Sequence, residues 1–156
     1  MKKNTSSKGL INFLEEDIPF NKHLGIKVEK AENGFARLFL PYKPEFTGDA
    51  RRPALHGGIL STLIDTCGGI AVWSCCQLED RIATIDMRVD YLRPAPQADL
   101  LAESRVRLMG NRVGNVQTVI FARESPDKII AEGRAVYNIR RHNAQKDQDR
   151  VSASVE

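Results

Sequence analysis

Between Leu55 and Trp73 the chain reads LHGGILSTLIDTCGGIAVW, one long stretch at helical spacing, and the residues after it are patterned as strand. Leu60, Leu63, Ile64, Cys67, Ile70 and Ala71 fall at i, i+3, i+4 and i+7 positions, which predicts a helix of about five turns buried on much of its circumference. Four runs come next, RIATIDMRVDYL, LLAESRVRLM, NVQTVIFARE and KIIAEGRAVYNI, punctuated by Pro94-Ala95-Pro96, Gly110-Asn111 and Pro126-Asp127. Strands that succeed one another without intervening helices pair antiparallel, and a buried helix needs a sheet to lie on. The predicted class is therefore α+β, an antiparallel sheet wrapped around one long central helix.

Upstream of that helix, GIKVEKA and FARLFLPY alternate in polarity around Glu32-Asn33-Gly34, and an Asn-Gly pair between such runs signals a hairpin. A short helix is expected from about Lys8 to Glu16, capped by Ser6 or Ser7 and stopped by Pro19. Pro44, Gly48 and Pro53 mark a loop before the central helix. In RIATIDMRVDYL, Ile85, Met87, Val89 and Tyr91 alternate with Thr84, Asp86, Arg88 and Asp90, which predicts one apolar and one polar face. The expected division is an N-terminal helical segment over 1–23, one domain over 24–140 and a polar tail over 141–156. That tail has too little apolar content to pack, and disorder is expected there.

A chain of 156 residues suits a single core. Its 23 basic and 20 acidic residues are dispersed, with no basic block of the kind that binds nucleic acid. Glu15, Glu16 and Asp17 interrupt the first apolar run, so neither a signal peptide nor a membrane span is expected, and the protein reads as cytoplasmic. Three cysteines, two of them adjacent, offer neither a disulfide framework nor a zinc pattern. They read as reduced, buried, structural thiols, and no metal or cofactor is expected.

The central helix carries residues that a buried helix does not need. Gly57 and Gly58 stand at its start, where backbone N–H groups lack partners and a partial positive charge accumulates. With no Cβ in the way, a substrate carbonyl can approach such an N–H; equally, His-Gly-Gly lets the chain turn from loop into helix. Asp65 lies two turns further on, among Leu63, Ile64 and Cys67. A carboxylate in such surroundings is costly unless it is compensated or used, although it can also point to solvent or pair with a distant arginine. Eight residues separate Gly57 from Asp65, about 12 Å along the axis, so one helix cannot bring both to one carbonyl. Two such helices packed antiparallel across a two-fold axis can. Gly68 and Gly69 fit that picture, since close approach of another backbone is a common reason to accept glycines in mid-helix.

RRPALHGGILSTLIDTCGG followed by TIDMRVDYLRPAP resembles the hotdog-fold acyl-CoA thioesterases of the phenylacetate-degradation (PaaI-like) type, over roughly residues 24–139. The resemblance implies a hotdog fold and hydrolysis of an acyl- or aryl-CoA thioester. It implies that the Gly57 N–H polarises the thioester carbonyl, and that Asp65 of the partner subunit acts as general base or as nucleophile. His56 would position the turn, Gly58 would line the substrate, and Thr84 would orient the catalytic Asp or its water. Arg93 and Arg112 are candidates for the phosphates of coenzyme A. The implied assembly is a homodimer or a dimer of dimers. The sequence departs from the family at Ala50 and Pro53, where many relatives carry Asn and Gly. Two other classes stay open, a non-catalytic acyl-CoA-binding hotdog protein and a hotdog dehydratase or hydratase, the latter because of His56.

Overall fold

The computed structural model of the chain describes residues 7–142. A helix α1 (Ser7–Asn12) runs into one wide turn (Phe13–Asp17), and Pro19 then opens α2 (Pro19–Leu24). Pro19 thus ends one helical segment and begins another, because its fixed φ and missing N–H suit the first helical position as well as they break an interior. Capping by Ser6 and all of the tail beyond 142 lie outside the described residues. No helix of the described residues is long and apolar enough to cross a membrane.

The predicted hairpin joins β1 (Lys27–Glu32) to β2 (Phe35–Leu40). Asn33 and Gly34 both take positive φ, 49° and 78°, as the tight two-residue hairpin turn requires. The expected loop around Pro53 holds a small hairpin, β3 (Thr47–Asp49) with β4 (Arg52–Leu55). The central helix α3 spans Gly57–Trp73. It is followed by β5 (Arg81–Tyr91), β6 (Leu100–Met109), β7 (Val113–Ala122) and β8 (Ser125–Arg140). Six strands form one sheet in the order β1-β2-β6-β7-β8-β5, antiparallel at every pairing. This is the hotdog architecture that the sequence leads one to expect.

Alternation puts Ala36, Leu38 and Leu40 of β2, Leu100 and Ala102 of β6, Val116 and Ile120 of β7, and Ala131, Ala135 and Tyr137 of β8 on the inner face. There they meet Leu60, Leu63, Ile64, Cys67 and Ala71 of α3, all of these residues buried. Each large side chain removed from water in this layer contributes about 1.5–3 kcal/mol. Ser104 and Thr118, also buried, satisfy each other through their hydroxyls at 2.6 Å. Cys67 is fully buried, its Sγ 3.5–3.6 Å from the carbonyls of Ala36 and Ala102, and burial pushes its thiol up to about 12. It is the inert core thiol the sequence suggests, whereas Cys75 is exposed and Cys76 half-buried.

Both mid-helix glycines meet Tyr137 of the chain's own sheet. A Cβ on Gly68 would overlap the Tyr137 hydroxyl, and one on Gly69 would sit 3.4 Å from the same ring. Tyr137, 1% exposed, donates its hydroxyl to the carbonyl of Asp65 at 2.8 Å. Burial, and then the charge of Asp65, push this hydroxyl above the usual phenol range, so it stays a donor.

The two edges of the sheet are finished differently. At β1 the Glu15 carboxylate accepts from the Val28 N–H at 2.7 Å and from Lys27 Nζ at 3.0 Å, which engages one backbone donor of that strand. At the other edge, β5 is eleven residues long and exposes Ile85 and Tyr91, with Leu92 beyond. No such cover exists for it among the described residues.

Past the end of β8, Asp80 gathers the chain. Its carboxylate accepts from the N–H groups of Gln77 (3.0 Å) and His142 (2.8 Å) and from the Arg141 guanidinium (2.9 Å), with its side chain 3% exposed. Burial alone would raise this carboxyl, but the two N–H groups and Arg141 outweigh it and hold it below the usual range. A depressed folded-state value means stability that is present above the unfolded pKa of about 4 and is lost as pH falls through the folded value. Asp80→Ala is expected to cost about 1–3 kcal/mol in urea unfolding at neutral pH, with the difference from the parent shrinking in acid. A difference that stays constant down to the acid limit would deny Asp80 this role.

Candidate functional site

The small hairpin and the β5–β6 connection fix the turn that opens α3. The His56 N–H donates to the Phe46 carbonyl (2.8 Å), the Leu55 N–H to Ala95 (2.9 Å), and Ala54 bridges to Pro96. Gly48 lets these segments pass, since a Cβ there would stand 2.9 Å from the His56 Cα. His56 is then the N-cap of α3: its Nδ1 accepts from the Gly58 N–H at 2.8 Å, and its carbonyl from the Ile59 N–H at 2.9 Å. Accepting at Nδ1 fixes the tautomer, with the ring proton on Nε2.

That capping leaves one donor over. Among the described residues no group accepts from the Gly57 N–H, while those of Gly58 and Ile59 are engaged. The unused N–H sits at the positive end of a helix with no Cβ beside it, an arrangement suited to a developing oxyanion. Gly58 is engaged by His56, and a Cβ there would stand 2.8 Å from His56 Nδ1. Its smallness therefore serves the cap.

Two turns along α3, Asp65 is half-buried, and Thr84 Oγ1 donates to its Oδ1 at 2.6 Å. Strict alternation along β5 predicts Thr84 on the polar face with Asp86 and Arg88, but a β-bulge between Thr84 and Asp86 changes the phase. Thr84 pairs with Tyr137 and Asp86 with Val136, leaving Ile85 as the extra residue, 59% exposed. Ile82 and Thr84 before the bulge, and Met87, Val89 and Tyr91 after it, consequently face the helix. The Asp65 carboxylate is oriented by Thr84 while its backbone carbonyl is held by Tyr137.

Ser61 and Tyr91, which the sequence alone does not single out, also belong here. Their hydroxyls bond each other, and each reaches the Gly57 carbonyl at 3.3 Å. The signal was the spacing: Ser61 lies one turn after Gly57, and Tyr91 is the tyrosine of TIDMRVDYLRPAP.

The two arginines lie at opposite ends of α3. Arg93 follows β5 beside the His-Gly-Gly turn, and its guanidinium donates to the Ile129 carbonyl. Arg112 is exposed in the β6–β7 turn, its carbonyl accepting from the Ile139 N–H at 2.7 Å, close to Gly114, which packs on Val72 in the last turn of α3. Ala50 and Pro53 are exposed, and Arg51 chelates its neighbour Asp49 at 3.0–3.1 Å. The Arg51 guanidinium and N–H hold the Asp49 carboxyl below its ordinary value.

Known proteins share this arrangement of fold and sequence. The family model described as the thioesterase superfamily matches residues 53–129. A Halobacterium salinarum protein named as a candidate esterase is 37% identical over 83% of this chain and 90% of its own. The medium/long-chain acyl-CoA thioesterase YigI of Escherichia coli is 31% identical over 78% of this chain and 86% of its own. The solved structure of the E. coli PaaI protein, from the phenylacetic acid degradation operon, superposes with a TM-score of 0.75 at 23% identity, covering 88% of this chain and 94% of that one, a likeness of fold. With a superfamily match over residues 53–129, and relatives above 30% identity along most of their length, the chain belongs to the thioesterase superfamily and is a hotdog thioester hydrolase.

Proposed function

We propose that the substrate is an acyl- or aryl-CoA thioester and that each active site is shared by two copies of the chain. The observation that carries this reading is the open Gly57 N–H, about 12 Å along α3 from an Asp65 carboxylate already oriented by Thr84. The uncovered β5 edge, with Ile85, Tyr91 and Leu92 exposed, supports a homodimer in which β5 pairs with its copy and the two α3 helices run antiparallel. A dimer of such dimers is compatible with it. A free exposed thiol at Cys75 supports a reducing, cytoplasmic setting.

In this arrangement the thioester carbonyl accepts from the Gly57 N–H, and Asp65 of the partner subunit faces the carbonyl carbon. Acting as base, that carboxylate takes a proton from water as the water oxygen bonds to carbon. The oxyanion collapses, the carbon–sulfur bond breaks, and the departing thiolate takes up a proton to give coenzyme A and the free acid. Acting as nucleophile, it adds to the carbonyl and expels the coenzyme A thiolate, which takes up a proton, leaving a mixed anhydride that water then opens to the free acid and the carboxylate. His56 holds the turn, Gly58 completes the cap, and Arg93 borders the mouth of the site. Arg112 of the partner subunit lies toward the same mouth, because the partner helix runs past Gly57, and it meets the coenzyme phosphates there.

Hydrolysis of straight-chain and aryl-CoA substrates, followed with a thiol reagent, tests the substrate class, and absence of thiol release across the panel would overturn it. A monomeric mass at assay concentration with full activity would remove the shared site. Thr84→Val, which deletes a hydrogen bond to a charged group, is expected to lower kcat about tenfold to a hundredfold, with Thr84→Ser restoring most of it. Unchanged kcat in Thr84→Val would make that contact incidental.

A further inference from the structure

We infer that Tyr91, with Ser61, is a positioning residue for the oxyanion donor: it clamps the Gly57–Gly58 peptide and so fixes the direction of the one N–H left open. The inference rests on the reading of the Gly57 N–H as that donor.

The two peptide units flanking Gly57 contain four polar groups. The His56 carbonyl accepts from the Ile59 N–H at 2.9 Å, and the Gly58 N–H donates to His56 Nδ1 at 2.8 Å. The Gly57 carbonyl has both hydroxyls, Tyr91 and Ser61, at 3.3 Å, and it accepts from one of them while the other donates within the hydroxyl pair. Three of the four groups are therefore held, and the fourth is the Gly57 N–H.

Two adjacent glycines are the least suitable residues for holding a donor still. Each has more backbone freedom than any other residue, and the first turn of a helix frays. A catalytic donor gains its effect from being aimed before the reaction begins, so freedom here is a direct loss. The hydroxyl pair supplies the missing restraint from outside the helix. The Tyr91 ring lies over this glycine, since a methyl group on Gly57 would come 3.3–3.7 Å from its ring and hydroxyl atoms.

Ser61 alone would be a weak clamp, since its hydroxyl is carried by the same helix and moves with it. Tyr91 comes from β5, at the end of a strand whose other end carries Thr84. One strand thus orients both catalytic groups of its own chain, Asp65 through Thr84 and Gly57 through Tyr91, and the two groups serve different sites.

The test uses the full-length enzyme and Tyr91→Phe, which keeps the ring and removes only the hydroxyl. Three readouts are taken: steady-state kinetics on an acyl-CoA; backbone amide order parameters at Gly57 and Gly58; and the Gly57 amide shift on adding a non-hydrolysable ketone analogue, with CH2 in place of the thioester sulfur. The expected result is a kcat reduced about tenfold with KM within about twofold, as befits loss of one hydrogen bond acting on the transition state. The amides of Gly57 and Gly58 become more mobile, and Ser61→Ala added to Tyr91→Phe costs less than the two single effects combined, because the hydroxyls work as a pair. Unchanged order parameters, or an unchanged kcat, would overturn the clamp alone. A KM that rises in proportion to the loss would overturn it too, making Tyr91 a substrate contact. If the analogue leaves the Gly57 amide unmoved in the parent enzyme, the oxyanion reading falls, and the clamp loses its catalytic meaning with it.

Discussion

Asp65→Asn lowers turnover of an acyl-CoA substrate by about two to four orders of magnitude while the unfolding midpoint stays close to that of the parent. The geometry separates the two effects. Tyr137 holds the backbone carbonyl of residue 65, not its carboxylate, so the sheet keeps its grip on the helix whatever the side chain. Asparagine has the same shape and retains an oxygen to accept from Thr84 Oγ1, so the local packing survives as well. What is lost is basicity and nucleophilicity, which act on the transition state and not on the fold. A variant that hydrolyses acyl-CoA at near the parental rate would remove Asp65 from the chemistry.

The second large effect is reached by mixing two dead enzymes. Gly57→Val places a branched side chain where a single methyl already meets the Tyr91 ring at 3.3 Å, so the ring is displaced and the approach to the N–H is blocked. Asp65→Asn supplies the other defect. In a heterodimer one site takes its glycine from the Gly57→Val chain and its carboxamide from the Asp65→Asn chain, and so carries both faults. The other site carries neither, and its Tyr91, which belongs to the same chain as its glycine, is undisturbed. Random exchange makes about half of the dimers heterodimers with one sound site of two, so about a quarter of parental activity returns. Exchange verified by mass spectrometry with no recovered activity would mean that the two groups do not meet across an interface.

The elements legible in the sequence are those set by a single local rule sustained over many residues. α3 follows from its apolar spacing, the β1–β2 turn from Asn33-Gly34, and the four later strands from their alternation. The features missed are those where one residue breaks a rule. Ile85 adds a step to β5, and with it Thr84 changes face; composition carries no mark of this, because a bulge is decided by what the neighbouring strand pairs with. Gly68 and Gly69 announce a close approach, but only the fold says that the visitor is Tyr137, some seventy residues away in sequence. The hairpin over Thr47–Leu55 is hidden by its own Gly48 and Pro53, which read as a loop. At the site, the roles of Gly57, Asp65 and Thr84 were suggested by family resemblance and the separation of the first two. Ser61 and Tyr91 needed coordinates, since nothing in a hydroxyl's sequence context shows which carbonyl it will find.

The unequal edges of the sheet also bear on how the chain can take partners through its backbone. A sheet with two free edges has a valence of two, and copies added edge to edge continue into a fibre, with no stoichiometry at which growth must stop. Here the Glu15 carboxylate occupies the Val28 N–H at one margin of the six-stranded sheet, whereas β5 at the other margin has no such cover among the described residues. Pairing through β1 would have to displace that carboxylate while pairing through β5 would not, so a short acidic turn near the N-terminus biases the sheet against growth from that side.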